Sequence, residues 1–154
     1  MIEPGTMQGR AEVADHYNEL DRVYREVWGD HVHHGFWVTG RESSGDAVVA
    51  LSDLVGDRLA PQPGQHLCDI GCGYGATAEH FAKRFGVEVT GFTLSAEQHG
   101  FAAARPGPLT FNLHDWLTNT CDDGAFDRAY AIESTEHMAD TRAMRYGVFT
   151  FSRP

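Results

Sequence analysis

The sequence predicts an α/β fold: a doubly wound, mainly parallel sheet, incomplete at about four to five strands, under an N-terminal helical cap. Three observations predict it. Strand-length apolar runs alternate with helix-length runs from residue 64 onward. The first of these strands leads into a glycine turn, DIGCGYG at 69–75, and then a helix. The first 63 residues carry two helical patterns and no strand pattern. The reading therefore divides the chain into a cap or lid, 1–63, and a partial sheet domain, 64–154.

The polar, glycine-containing start, MIEPGTMQGR, is not a secretory signal. From Ala11, Val13, Tyr17, Leu20, Tyr24 and Val27 recur at steps of three and four. That predicts one helix with one apolar face, ended by Gly29-Asp30. A histidine-rich turn, HVHHGFWVTG, follows. A second helix is expected over 46–59, with Ala47, Leu51, Leu54 and Val55 inward and Pro61 and Pro63 beyond its end. Strands are then expected at 66–70, 87–92, 109–113 and 126–132, with helices at 76–85 and 95–104. The second helix carries Ser95 as its cap and Gln98 as a capping-box partner. Strand–helix alternation of this kind means βαβ units and parallel pairing.

Charge excludes one class of partner. Asp and Glu outnumber Lys and Arg by 22 to 12, giving a net charge of −10 and no basic cluster, so no nucleic acid is expected. Apolar runs are short, so no membrane span is expected. The three cysteines, Cys68, Cys72 and Cys121, have no zinc spacing and suit reduced thiols in the cytoplasm. His31, His33 and His34 lack a carboxylate or cysteine to complete a closed site, so no metal is expected.

A glycine turn between strand and helix puts free backbone N–H groups at the carboxyl edge of the sheet, where such folds bind ligands. Gly71 and Gly73 allow a tight turn and close approach, and Asp69 can pair with a cationic group. A purely structural turn is the alternative. The spacing is GxGxG, and the second strand ends in GFTLS without a carboxylate, which disfavours a nicotinamide dinucleotide and an NAD(P)-dependent oxidoreductase.

LCDIGCGYGATAEHFAKRFGVEVTGFTLSAEQ resembles the core of class I S-adenosylmethionine-dependent methyltransferases, a Rossmann-like fold. Within that class it is similar to the branch of γ-tocopherol and sterol methyltransferases, cyclopropane fatty acid synthases and bacterial small-molecule methyltransferases. VYREVWGDHVHHGFW and AIESTEHMAD match the same branch in order, so the resemblance covers about 11–140. It implies S-adenosyl-L-methionine as cofactor and a small, apolar methyl acceptor. By the same resemblance, Asp69, Gly71, Cys72, Gly73 and Gly75 line the methionine end. Thr93, Leu94 and Gln98 match the ribose segment. Asp115 and Trp116 match the adenine bracket, or else cap a helix and fill core. Tyr17 and His34 belong to elements that close over the cofactor. Glu133 and His137 line the reaction centre, with His137 as a candidate base beside pure positioning.

The match stops at Asp140, and TRAMRYGVFTFSRP does not resemble the family's continuation. The chain reads as truncated or altered there, so an inactive cofactor-binding module is the alternative function. Val148–Phe151 can make a strand, but the linker is short for a parallel crossover. The fourth strand is thus expected to be an exposed edge, open to homodimer formation.

Overall fold

The computed structural model describes residues 9–135, 138 and 148–152. Its sheet contains β1 (His66–Ile70), β2 (Glu88–Thr93), β3 (Leu109–Leu113), β4 (Arg128–Ile132) and β5 (Val148–Ser152), in the order β3-β2-β1-β4-β5. The first four strands pair in parallel. β5 runs antiparallel to β4, with Ile132 opposite Val148 and Arg128 opposite Ser152. This corrects the expectation of an open β4 edge. An antiparallel return needs no crossover helix, so the short linker suffices. Strand order reverses between β1 and β4, which opens a crevice at their carboxyl ends.

Five helices are present among the described residues: α1 (Arg10–Glu19), α2 (Asp21–Val27), α3 (Ser44–Leu59), α4 (Ala76–Phe85) and α5 (Ala96–Ala103). Alternation along the strands sorts the core into two faces. Leu67, Val89, Tyr130 and Ile132 meet Leu51, Val55 and Leu59 of α3 and Phe81 and Ala82 of α4. Phe81, fully buried, lies 4.8 Å from the Tyr130 ring and 5.6 Å from Phe85. On the other face Cys68, Ile70, Phe92 and Ala131 pack with Trp116, Phe126 and Met138. Each large side chain removed from water here contributes about 1.5–3 kcal/mol before entropy is counted.

The expected single N-terminal helix is two. The chain breaks at Leu20, and the apolar stripe does not all go inside: Val13 is buried, but Val23 and Val27 are 53% and 72% exposed. What α2 buries is a carboxylate, Asp21, because that acid has partners waiting. Tyr74 of the glycine turn donates its phenol hydrogen to Asp21 Oδ1 at 2.8 Å, and Arg25 donates to Oδ2 from Nε and Nη2 at 3.0 and 2.8 Å. Burial alone would raise the Asp21 pKa, but these hydrogen bonds outweigh it and hold the group below its usual value. Arg25 also covers the Phe101 ring of α5 at 4.3 Å.

Two further contacts fasten the cap. Asn18 Oδ1 accepts from the Ser95 hydroxyl at 2.7 Å, at the start of α5. Arg105 bridges Asp30, Glu79 of α4 and the Tyr74 carbonyl. The Ser95 cap forms, its oxygen accepting from Gln98 N–H at 3.1 Å, but the reciprocal half of the box does not. Thr93 intervenes. Its hydroxyl accepts from Ser95 N–H and donates to Gln98 Oε1 at 3.0 Å.

Tyr74→Phe keeps the ring against Phe101 and removes the phenol from Asp21. The expected cost is about 1–2 kcal/mol, read as a lower urea midpoint with an unchanged denaturant slope.

Candidate functional site

The crevice at the strand switch encloses about 760 Å³, including its open mouth. Its floor is the glycine turn, through Gly71 and Gly73, together with Ile132, Glu133 and Ser134 at the end of β4. One wall is Thr93, Leu94, Ser95 and Gln98, and the far end is His114, Asp115, Trp116 and Leu117. Val13, Tyr17 and Val32 of the cap form its roof. A second, smaller chamber of about 350 Å³ lies behind the same turn. Asp30, His31, His33, Asp69, Cys72 and Thr77 line it, and Gly71, Gly73, Val32 and Ile132 border both spaces.

The turn's glycines answer to different demands. Gly71 has φ +82°, and a Cβ there would stand 2.3 Å from the Ser134 Cβ. The close approach is therefore to the end of β4. Gly73 has φ +54° but open space where its Cβ would be, on the border of both chambers. Gly75 caps α4 and lines neither space.

Glu133 is a non-glycine residue at φ +50°, a conformation that persists only when its surroundings hold it. Its carboxylate accepts the His34 backbone N–H at 3.0 Å and meets His34 Nδ1 at 2.7 Å. This pins the histidine-rich segment over the strand ends. His34 thus borders the site through Glu133 rather than by lining it, and Glu133 is engaged by the cap as well as lining the crevice. His137 lies outside the described residues.

At the far end, Asp115 Oδ1 accepts from Leu117 N–H at 2.9 Å and caps a single 3₁₀ turn, Trp116–Thr118. The Trp116 ring packs edge-on to Phe92 at 5.2 Å while lining the crevice. The pair therefore caps and packs while also lining the crevice.

The smaller chamber is electrostatically unusual. Burial, reinforced by the neighbouring His33, pushes the His31 pKa down to about 4. Burial likewise lowers His33 against the opposing pull of the His34 carbonyl, which accepts from His33 Nδ1–H at 2.8 Å. Burial pushes Asp69 up to about 7 and raises the Cys68 and Cys72 thiols, which makes both cysteines inert packing residues. Asp69 Oδ2 and the Tyr130 hydroxyl are buried without a well-formed hydrogen bond. Among the described residues no group of three or more His, Cys, Asp or Glu side chains could hold a metal ion. No helix among them is long and apolar enough to cross a membrane.

Sequence reasoning missed several lining residues. Ser134 is legible only once Gly71 is known to face it, and Val13 and Val32 only once the cap is folded down. Tyr130, which lines neither space but pairs with Asp69 in the sheet, left a signal: alternation along RAYAI puts it on the same sheet face.

Two predictions follow from this geometry. Gly71→Ala adds strain and a clash, with an expected loss of about 2–5 kcal/mol. Gly73→Ala carries only the backbone term, about 1–2 kcal/mol. Equal losses in thermal or urea unfolding would contradict the assignment. Secondly, a histidine whose folded pKa is depressed weakens the fold once the unfolded chain takes up more protons. His31→Gln should therefore lose less of its unfolding midpoint than the parent chain as pH drops from about 6.5 toward 4, while Asp69, whose raised pKa acts in the opposite sense over that window, is common to both.

Comparison with known proteins gives the same architecture. Residues 6–152 match the family described as mycolic acid cyclopropane synthetase. The chain is 33% identical over 155 residues to the chloroplastic tocopherol O-methyltransferase of Arabidopsis thaliana, covering 85% of this chain and 43% of that protein. A mycolic acid cyclopropane synthase solved with S-adenosylhomocysteine and CTAB superposes with a TM-score of 0.78 at 26% identity, over 89% of this chain and 50% of that one. The 4+2 cyclase SpnF gives 0.75 at 31% identity, over 79% and 48%. The chain thus spans about half the length of the curated relatives it matches. It belongs to the mycolic acid cyclopropane synthetase family, within the class I S-adenosylmethionine-dependent methyltransferases.

Proposed function

We propose that this chain is the cofactor-holding half of a methyltransferase that moves a methyl group from S-adenosyl-L-methionine to a carbon, oxygen or nitrogen of a small, apolar acceptor. One observation carries the reading. The crevice begins at a glycine turn backed by a buried carboxyl with an unpartnered oxygen, and ends at an aromatic wall. These features suit a ligand with a cationic amino-acid end and a flat base end. Gly73, whose missing side chain leaves room toward the ligand space, supports the fit.

In this reading the cofactor supplies an electrophilic methyl on a sulfonium. The chain's own residues bind and position. Gly71 and Gly73 present backbone to the methionine end, with Asp69 and Cys72 behind them and Gly75 setting the start of α4. Thr93, Leu94 and Gln98 face the ribose, Gln98 through its amide nitrogen, because Thr93 already occupies its oxygen. Asp115 and Trp116 take the adenine. Tyr17 closes the roof, and His34 holds the lid shut through Glu133. Glu133 lines the reaction centre in this reading, and with the lid closed its carboxylate is a hinge contact before it is a base. His137 remains the candidate base. The cap, 1–63, acts as the lid and 64–154 as the cofactor domain, in a reducing, cytoplasmic setting consistent with the inert thiols of Cys68 and Cys72. Self-association through a sheet edge, now that of β5 or β3, completes the proposal.

A second reading is a cofactor-binding module without turnover, favoured by the chain's half-length match to its relatives. Titration calorimetry with S-adenosylmethionine and S-adenosylhomocysteine, followed by labelled methyl transfer to a panel of apolar phenols and alkenes, separates the two. Saturable binding at about micromolar concentration is expected. Gly73→Val should weaken it at least about tenfold, a loss of about 1.4 kcal/mol, in a chain still folded by circular dichroism. Binding without transfer selects the module. A folded chain that binds neither ligand overturns the reading.

A further inference from the structure

We propose that Asp69 and Tyr130 form a buried proton-holding pair that releases its proton when a cation docks at the glycine turn. This rests on the cofactor reading above and deepens it: binding of the sulfonium amino acid is coupled to proton release.

Asp69 and Tyr130 are paired residues in the β1–β4 register, so their side chains leave the same face of the sheet side by side. That face is the one packed with Leu67, Phe81 and Ile132, and both residues are almost fully buried there. Asp69 Oδ2 and the Tyr130 hydroxyl each lack a well-formed hydrogen bond. A bare carboxylate in such a place is costly.

The groups around it offer no compensating charge. Cys68 on β1 and Cys72 on the turn are neutral thiols. The cap contributes Asp30, His31 and His33 to the chamber, and both imidazoles are held neutral by burial. α4 contributes Thr77, and no Lys or Arg lines the space; Arg105, behind Asp30 and the Tyr74 carbonyl, is engaged by Asp30 and Glu79. The chamber is therefore an acid waiting for a cation. Burial holds the Asp69 pKa near 7, so about half of the carboxyls carry a proton at neutral pH. A fixed positive charge beside the carboxyl favours its ionised form, and the proton leaves to the buffer. The Tyr130 phenol pulls the same way, lowering the Asp69 pKa against burial.

The test is calorimetry of the full chain with S-adenosylmethionine, between pH 6 and 8, in phosphate and in Tris. The two buffers differ in ionisation heat, so the difference counts protons. Relative to Asp69→Asn, the parent chain is expected to release about half a proton more at pH 7, and its affinity to gain about tenfold from pH 6 to 8. Asp69→Asn should retain only the proton traffic of the ligand's own amino group. Tyr130→Phe should still bind, with its release curve moved to higher pH. The ligand's own amino group titrates alike in every variant, so differences between variants isolate the pair. Saturable binding with the same proton count in the parent chain and in Asp69→Asn overturns the inference while leaving the cofactor reading intact. If Asp69→Asn does not fold, an unmoved curve in Tyr130→Phe overturns it. No saturable binding at any pH overturns both.

Discussion

The site depends on how closely β1 and β4 approach at their carboxyl ends. Gly71 leaves β1 at a positive φ, and the volume its side chain would fill is taken by Ser134. The Ser134 hydroxyl donates to the Ile70 carbonyl and ties the two strand ends together. The preceding residue, Glu133, sits at φ +50° as the chain leaves β4. That backbone places its carboxylate where the His34 N–H and ring can reach it. One missing Cβ thus sets the turn, the exit of β4 and the docking point of the lid. Each of these borders the same crevice.

Within the cap, α3 packs its apolar face on the sheet, whereas the segment before α3 is held largely by polar contacts. Tyr74 grips Asp21, Ser95 grips Asn18, Arg105 grips Asp30 and Glu133 grips His34. All four gripping residues belong to the loops and helix starts that surround the ligand space, or to the turn that follows α5. Cap position and site geometry are therefore one mechanical problem. Val23 and Val27, left outside, show that hydrophobic burial does not fix α2. Hydrogen-bonded anchors are directional, and each contributes only about 0.5–1.5 kcal/mol net. A segment fastened by such contacts can open locally without unfolding the sheet beneath it.

The sheet was legible because its signals are local. HLCDI followed by GCGYG, and strand-length runs at regular spacing, give β1 to β4 within two residues of their observed bounds. The helix split at Leu20 was not legible, since the 3.6-residue period continues unbroken through it. Only the tertiary partners of Asp21 explain why a carboxylate is buried where Val27 is left exposed. The antiparallel β5 was readable as a strand but not in direction, which depends on linker geometry. Within the site, residues carried by the glycine turn and by Thr93–Gln98 stood out by type and spacing. Ser134, Val13 and Val32 did not, because ordinary residues become lining residues only through contacts distant in sequence.

Asp69 shows how far type and spacing reach. A carboxylate before a glycine turn reads as a partner for a cationic ligand group, with nothing in the sequence to say whether it stands in the open crevice. It lies behind the turn, in the smaller chamber, against Tyr130 and an apolar sheet face. Its position follows from alternation: Leu67 and Asp69 share a face, and Leu67 is core. In the proposal above, the carboxyl is about half protonated at neutral pH and becomes fully ionised when a cation stabilises it, which lessens the cost of a bare buried carboxylate in the empty pocket. The same burial that raises the Asp69 pKa keeps His31 and His33 neutral, and a positive charge on either imidazole would compete with the ligand for that acid. Desolvation, acting on the acid and on both bases, therefore leaves the chamber without a cation of its own.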